Sequence, residues 1–145
     1  MQTIAPDLKA NDRWAAFTEL LNLLVEGGKI KDYEQKGIYE LLVHRENMMT
    51  TGIGHGIAIP HASYDQTEEV IAAFGRSRTG IQFEALDGQP VYYVAMIIVP
   101  KAQFQTHLKT LSILAKYFNN PANRQAIDNA RTVDELSRCF EVAEV

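Results

Sequence analysis

Apolar residues recur at helical spacing near the start of the chain. One face of this segment carries Trp14, Phe17, Leu20, Leu21 and Leu24. That spacing is typical of an amphipathic helix. The Asn11-Asp12 pair is suited to cap its start, and Gly27-Gly28 predicts its end. For a second helix, Asp32 with Gln35 three residues later predicts a capping box. Its apolar face is made of Ile38, Leu41 and Leu42.

The middle of the chain has strand patterns. Gly56 to Ile59 predicts a short strand ended by Pro60, because proline cannot donate to a central ladder. Further strands are predicted at 70–74 and 81–83, and the Asp87-Gly88 pair predicts a turn. The run from Val91 to Val99 is apolar at both alternating sets of positions. We interpret it as a central strand with helices on both sides.

Helical patterns return in the last third. The segment from Thr106 to Phe118 carries a stripe of Leu108, Leu111, Ala115 and Phe118. Pro121 is suited to the first turn of another helix. Thr132 with Glu135 predicts a capping box for a final helix that ends near Val142. Helices interspersed with strands in a chain of this length indicate one α/β domain over 1–145, a sandwich of a central mixed β-sheet flanked by helices on both faces.

Composition narrows the function classes. The chain has 145 residues, 46% of them hydrophobic, and a net charge of −4. These values exclude a disordered chain and argue against nucleic-acid binding, which needs a basic surface. The longest apolar run, Val91 to Val99, is shorter than the roughly 20 residues of a membrane-spanning helix. The single cysteine, Cys139, excludes an internal disulfide framework, and no secretory signal is visible, so we expect a cytoplasmic protein without membrane insertion.

Three glycines at every second position, Gly52, Gly54 and Gly56, invite a nucleotide-binding interpretation. A dinucleotide fingerprint would need glycine at position 57 or 59, and both are isoleucine. The chain also has no Gly-Lys-Ser/Thr run, which excludes a P-loop. The spacing instead indicates backbone conformations that side chains would obstruct.

The four histidines differ in context. His44 precedes Arg45 at a helix end, where a surface role is expected. His61 follows Pro60 at the end of a strand, where a rigid but solvent-open imidazole is suited to act as a nucleophile. His107 lies in the first turn of a predicted helix, whose dipole favours a neutral imidazole and a bound anion. A metal site built from His55, His61 and His107 remains an alternative.

Two longer motifs contain these histidines. The run from Arg45 to His61 reads RENMMTTGIGHGIAIPH. A second block combines Val99-Pro100 with Thr106-His107-Leu108-x-x-Leu111-Ser112, and FEALDGQPV spans 83–91. Together they resemble the fructose/mannitol-type (type 2) enzyme IIA domain of the bacterial phosphoenolpyruvate-dependent phosphotransferase system, and the 83–91 segment is most similar to the nitrogen-regulatory branch. The resemblance runs from Lys9 to Leu136 and is strongest over 45–136.

The resemblance implies a phosphocarrier. His61 matches the residue phosphorylated by a phosphohistidine carrier protein such as HPr, His107 the second active-centre histidine, and Arg45 an arginine near the active centre. Phosphoryl transfer depends mostly on positioning and charge stabilisation, and it needs no metal or other cofactor when the group moves from one nitrogen to another residue. We expect further stabilisation from backbone groups of a phosphate loop formed by Thr51, Gly54, His55 and Gly56.

The sequence departs from the family pattern at one position. His55 stands where the family commonly has asparagine, which adds a titratable group close to His61.

A phosphocarrier must bind two different proteins, so we expect an apolar patch around His61. Met48, Met49 and Ile53 are candidates for this patch, because methionine suits surfaces that adapt to several partners; a core position is the alternative.

Several functions remain open at this point. In a regulatory protein, the phosphorylation state of His61 controls binding to a target protein. In sugar transport, the phosphoryl group passes to an enzyme IIB. The similarity over 83–91 and the lack of a fused IIB segment favour the regulatory interpretation. A histidine-ligated metal hydrolase and a binding module without phosphotransfer are the alternatives of other classes, and the His61 and His107 pair argues against the second.

Overall fold

A computed structural model describes residues 3–141 of the chain. Its sheet contains β1 (Thr3–Ala5), β2 (Gly52–Gly54), β3 (Ile57–Ala58), β4 (His61–Tyr64), β5 (Ile71–Ile81) and β6 (Val91–Pro100). The strand order is β1-β5-β6-β3-β2, and β4 also pairs with β6. The β5–β6 and β2–β3 pairs are antiparallel, whereas β1 pairs in parallel with β5, and β3 and β4 each pair in parallel with β6. The sheet is therefore mixed, as predicted.

Helices cover both faces of this sheet. The described helices are α1 (Arg13–Glu26), α2 (Gln35–Met48), α3 (Phe104–Asn119), α4 (Pro121–Asn129) and α5 (Val133–Cys139). Alternating residues of β6 separate two cores: Met96 packs with the apolar residues of α1 and α2, and Ile97 packs with those of α3, α4 and α5. This arrangement confirms the predicted sandwich and the central place of β6. Within residues 3–141, each helix is too short or too polar to cross a bilayer.

The first helix has the predicted bounds and caps. The Asp12 side chain accepts a hydrogen bond of 2.8 Å from the backbone N–H of Ala15. At the other end, the N–H of Gly27 donates to the carbonyl of Leu23, and Gly28 has a φ of 71°. A left-handed residue is common just beyond a helix end, because it turns the chain so that the following N–H groups can donate to the last carbonyls of the helix.

The second helix begins differently from the prediction. The capping box lies one residue earlier, because the Lys31 N–H donates to the Glu34 carboxylate at 2.9 Å. Asp32 belongs to a 3₁₀ turn, Asp32–Glu34, that leads into α2. Leu41 is 39% exposed, and the buried side chains of α2 are Ile38, Leu42 and Glu46. The buried face of α2 therefore includes the carboxylate of Glu46, which the sequence analysis did not assign to that face.

The short strand before Pro60 forms as predicted and ends at Ala58, but a new strand, β4, begins directly after the proline. Ala58 pairs with Val94 and His61 with Ile97, so the same register continues on both sides of the proline. Proline has no N–H to give, but its carbonyl accepts a hydrogen bond of 2.9 Å from the N–H of Ile97. The ladder is interrupted for two residues and then resumes, and His61 begins a strand.

The structure joins two of the predicted strands into one. The predicted strands at 70–74 and 81–83 are not separate: β5 runs from Ile71 to Ile81 with a register shift between Arg76 and Ile81. Gln82 makes an isolated bridge to Asp12 instead. Three strands, β1, β2 and β4, were not predicted, because their three or four residues are too few to show a period.

The carboxyl-terminal helices follow the predicted order, with adjusted faces. The buried side chains of α3 are Leu114, Tyr117 and Phe118, whereas Leu108 is 40% exposed. Pro121 opens α4 as expected. Thr132 accepts from the N–H of Glu135, but the Glu135 carboxylate accepts from Arg131, so only half of the predicted capping box forms. The last helix ends at Cys139, and Val142 lies outside the described residues.

Candidate functional site

His61 is the first residue of β4, at an edge of the sheet. It pairs in parallel with Ile97, and paired residues of neighbouring strands project to the same face. Ile97 belongs to the core beneath α3, so the half-buried His61 ring projects on the α3 face. The following residue, Ala62, packs into the opposite core. The alternation of β4 therefore directs His61 to one side of the sheet.

The His61 ring is held in one tautomer. Its Nδ1 lies 2.9 Å from the carbonyl oxygen of Ile59. A carbonyl can only accept, so Nδ1 carries the proton and Nε2 keeps a free lone pair. Burial lowers the pKa of His61 below its ordinary value of 6.5, and the Arg45 charge acts in the same direction. The Ile59 carbonyl and Glu46 act in the opposite direction without reversing the pKa shift. The ring is therefore neutral near pH 7, and its Nε2 lone pair is available for nucleophilic attack.

Arg45 lies in the last turn of α2. Its guanidinium donates to the backbone carbonyl of Met49 at 2.8 Å, which ties it to the chain that leaves the helix. Its positive charge acts to lower the pKa of His61. The neighbouring His44 is exposed, in keeping with its predicted surface role.

His107 is half-exposed near the start of α3. Its Nε2 lies 3.3 Å from the side-chain oxygen of Gln103, the residue that precedes the helix. Because α3 covers the face on which His61 projects, the fold places both predicted histidines on the same side of the sheet. The amino end of α3 adds a partial positive charge suited to an anion.

Two backbone N–H groups of the predicted phosphate loop donate to carboxylates of the protein. The N–H of Thr51 donates to the Glu46 carboxylate at 2.7 Å, and the N–H of His55 donates to the Asp87 carboxylate at 3.2 Å. These two N–H groups therefore have carboxylate partners, and the contact of the loop with a phosphoryl group stays a prediction. Gly54 and Gly56 have φ values of 104° and 79°. Both values lie in the left-handed region that favours glycine.

Glu46 and Asp87 were absent from the predicted site. Glu46 is 2% exposed and Asp87 accepts from both His55 and Gln89. The sequence does carry a signal for Glu46, since it lies four residues after Leu42 and eight after Ile38, on the buried side of the helix. For Asp87, the turn pattern gave no sign that its carboxylate would reach a distant hairpin.

His55 does not join the other two histidines. It is exposed, has a φ of 57°, and lines a cleft of about 230 Å³ with Ile53 and the carboxyl-terminal residues Ala115, Lys116 and Asn119 of α3. His107 is at the opposite end of that helix, about 12 Å from the level of Ala115 at a rise of 1.5 Å per residue. In the part of the chain that the structure describes, no three His, Cys, Asp or Glu side chains are placed to hold a metal ion. The described structure thus places His55 apart from His107 and does not assemble the three-histidine site that the sequence left open.

Cys139 is unsuited to be the nucleophile. It is partly buried, and its Sγ lies 3.4 Å from the carbonyl oxygen of Glu135. Burial raises the pKa of the thiol, which leaves less of the reactive thiolate near neutral pH.

The predicted apolar patch is exposed. Met48, Met49 and Ile53 are 72%, 62% and 40% exposed, which rules out the alternative that they belong to the core. Leu86, 65% exposed, was not predicted with them. Its N–H donates to the carbonyl of Gly52, which places it beside the hairpin. We call these four residues the apolar patch.

Comparisons with known proteins identify the family and the fold of this chain. A family model described as "Phosphoenolpyruvate-dependent sugar phosphotransferase system, EIIA 2" matches residues 1–142. A fructose-specific EIIA component from Haloferax volcanii is 41% identical over 120 residues, 81% of this chain and 77% of that protein. The nitrogen regulatory protein IIA-Ntr from Neisseria meningitidis has a similar structure, with a TM-score of 0.85 and 27% identity over 96% of this chain and 92% of the other.

A multidomain relative matches as well. A fructose-specific EIIABC component from Bacillus subtilis is 34% identical over 134 residues, which are 92% of this chain. The chain spans 21% of the length of that relative.

Proposed function

The chain belongs to the EIIA 2 family of the phosphoenolpyruvate-dependent sugar phosphotransferase system, and we propose that it is a phosphocarrier that accepts a phosphoryl group on Nε2 of His61. The hydrogen bond from Nδ1 to the Ile59 carbonyl carries this proposal. It leaves the lone pair on Nε2, and the lowered pKa keeps that lone pair free of a proton at neutral pH.

In the proposed step, the Nε2 lone pair of His61 attacks the phosphorus of a phosphohistidine donor. The Nε2–P bond forms, the donor N–P bond breaks, and the donor imidazole keeps that electron pair. The His61 ring gains positive charge, which the Ile59 carbonyl stabilises through Nδ1–H. Arg45 and His107 are the groups that we assign to the charge on the phosphoryl oxygens.

We assign an HPr-like phosphohistidine protein as donor. The apolar patch beside Arg45 supports docking of such a protein, because exposed methionines adapt to different partner surfaces. For the onward step, we propose a regulatory role, in which the phosphorylation state of His61 controls binding to a target protein. The similarity to the nitrogen regulatory protein of Neisseria meningitidis supports it.

Transfer to an enzyme IIB is the second candidate. The 41% identity to the fructose-specific EIIA component of Haloferax volcanii favours this sugar-transport role. The two roles differ in the acceptor and share the first step on His61.

Labelling with radioactive phosphoenolpyruvate, enzyme I and HPr tests both steps. We expect label on the wild-type protein and on His44→Ala, and none on His61→Ala. Adding a fructose-type enzyme IIB then separates the roles, since rapid loss of label to IIB supports transport and retention supports regulation. Equal labelling of His61→Ala would contradict the site, and an unlabelled wild type would support a binding module without phosphotransfer.

A further inference from the structure

We propose that Glu46 is a positioning residue that fixes the tautomer and orientation of the His61 ring through a hydrogen-bond relay across Thr51 and Ile59. The inference rests on the proposed role of His61. It assigns a purpose to a buried carboxylate whose hydrogen bonds go to Thr51 and Arg13.

The first link joins Glu46 to Thr51. The carboxylate accepts from the Thr51 N–H at 2.7 Å through Oε2 and from the Thr51 hydroxyl at 2.5 Å through Oε1. Both residues are buried, with 2% and 4% exposure. Hydrogen bonds to a charged, desolvated carboxylate are the stronger kind, so the two contacts hold the Thr51 backbone in one position.

The second link joins Thr51 to the ring. The Thr51 carbonyl accepts from the Ile59 N–H at 3.1 Å, and the Ile59 carbonyl accepts from Nδ1–H of His61 at 2.9 Å. The next carbonyl, that of Pro60, is held by the N–H of Ile97. The acceptor for Nδ1 is therefore fixed on both sides, and its position follows that of Thr51.

The far end of the relay is anchored as well. A guanidinium nitrogen of Arg13 on α1 lies 3.4 Å from Oε2 of Glu46 and 3.3 Å from the carbonyl oxygen of Phe83. Every buried side-chain nitrogen or oxygen among residues 3–141 has a partner, so the network around Glu46 is complete. A complete buried polar network is rigid, which is the property that a positioning residue requires.

Packing alone does not account for a carboxylate here. Ile38 and Leu42 lie one and two turns earlier on the same buried side of α2. An aliphatic side chain would continue that side without desolvating a charge, and such replacements of buried charges are often neutral or stabilising. Glu46 differs from an aliphatic residue in the hydrogen bonds that it accepts, and those bonds lead to His61.

The test compares four full-length variants. Glu46→Gln can keep both contacts, because its amide oxygen accepts from the Thr51 N–H and its amide N–H donates to the Thr51 hydroxyl. Glu46→Ala removes both contacts. Glu46→Met removes them while filling the space, which protects the fold if the alanine variant unfolds. Glu40→Ala, exposed on the same helix, is the matched control.

Two readouts separate positioning from stability. Ring ¹⁵N chemical shifts of unphosphorylated His61 report its tautomer, and transfer from phosphorylated HPr gives kcat and KM. In the wild type, Glu46→Gln and Glu40→Ala we expect the Nδ1–H tautomer and similar kcat. In Glu46→Ala or Glu46→Met we expect a mixture of tautomers and a kcat at least about tenfold lower, since a misplacement of 1 Å can cost about 10²-fold.

KM should stay unchanged, because the apolar patch is untouched. A wild-type tautomer and kcat in the folded methionine variant would overturn the relay, as would an equal loss in Glu46→Gln. If the wild type takes no phosphoryl group, the proposed function fails, whereas the tautomer measurement still decides the relay.

Discussion

The Nδ1–H of His61 donates to the carbonyl oxygen of Ile59, two residues earlier on the same edge of the sheet, at 2.9 Å. Pro60 lies between them and pairs through its own carbonyl with Ile97. The contact is local in sequence, but it depends on a strand that resumes after the proline in an unchanged register. It determines which ring nitrogen is available for chemistry.

The first prediction concerns the phosphorylated nitrogen. Because the Nδ1–H donates to the Ile59 carbonyl, phosphorylation should occur on Nε2. Phosphorus and ¹⁵N NMR of the phosphorylated protein distinguishes the two isomers. A phosphoryl group on Nδ1 would show that the ring turns over before reaction, contrary to the structure.

The second prediction concerns the pH dependence of stability. The folded protein lowers the pKa of His61 below 6.5, so the unfolded chain binds the proton more readily. The contribution of His61 to the free energy of unfolding is therefore full above about pH 6.5. It decreases as the pH falls from there towards the pKa of the folded state. Urea unfolding at several pH values should show a smaller loss on acidification in His61→Gln than in the wild type. Equal losses in the two proteins would contradict the lowered pKa.

The third prediction concerns the hairpin glycine before Ile57. Gly56 has a φ of 79°, and an added Cβ would lie 3.1 Å from the Tyr92 ring. We expect Gly56→Ala to lower the free energy of unfolding by about 1–3 kcal/mol. The matched control is Gly37→Ala inside α2, where a Cβ meets nothing within 4 Å. That change should raise stability by about 0.5–1 kcal/mol. Denaturant midpoints measure both effects, and a neutral Gly56→Ala would refute the strain.

The fourth prediction concerns the apolar patch. Replacing Met48 and Met49 by serine should raise KM for the phosphorylated donor and leave stability nearly unchanged, because both side chains are exposed. Tyr33→Ser is the control: Tyr33 is 80% exposed and precedes α2, about 20 Å from its other end. An equal rise in KM for both variants would place the donor elsewhere on the surface.

The regular elements followed from local patterns. The helical spacing from Trp14 to Leu24, the Asp12 cap and the apolar run of β6 each correspond to an element with the predicted type. Errors arose where two local signals competed. Gln35 and Glu34 could both complete a capping box, and the box forms with Glu34.

The strand errors have a different cause. A strand is stabilised by its neighbours, so its length depends on partners that lie far away in the chain. Three residues suffice for β1 because it pairs with β5, and β4 begins directly after Pro60 because β6 pairs with the chain on both sides of the proline. Neither fact is visible in a local window of sequence.

The sequence by itself determined the fold class and named His61, His107 and Arg45 as candidate residues, because periodicity and short motifs are local properties of the chain. Tertiary structure decided which nitrogen of His61 is free, that His55 lies apart from His107, and that the Thr51 and His55 donors are occupied. It also decided the burial of Glu46 and the exposure of Met48 and Met49. The burial of a side chain and its hydrogen-bond partners depend on which distant segments pack together, and a local stretch of sequence does not specify that packing.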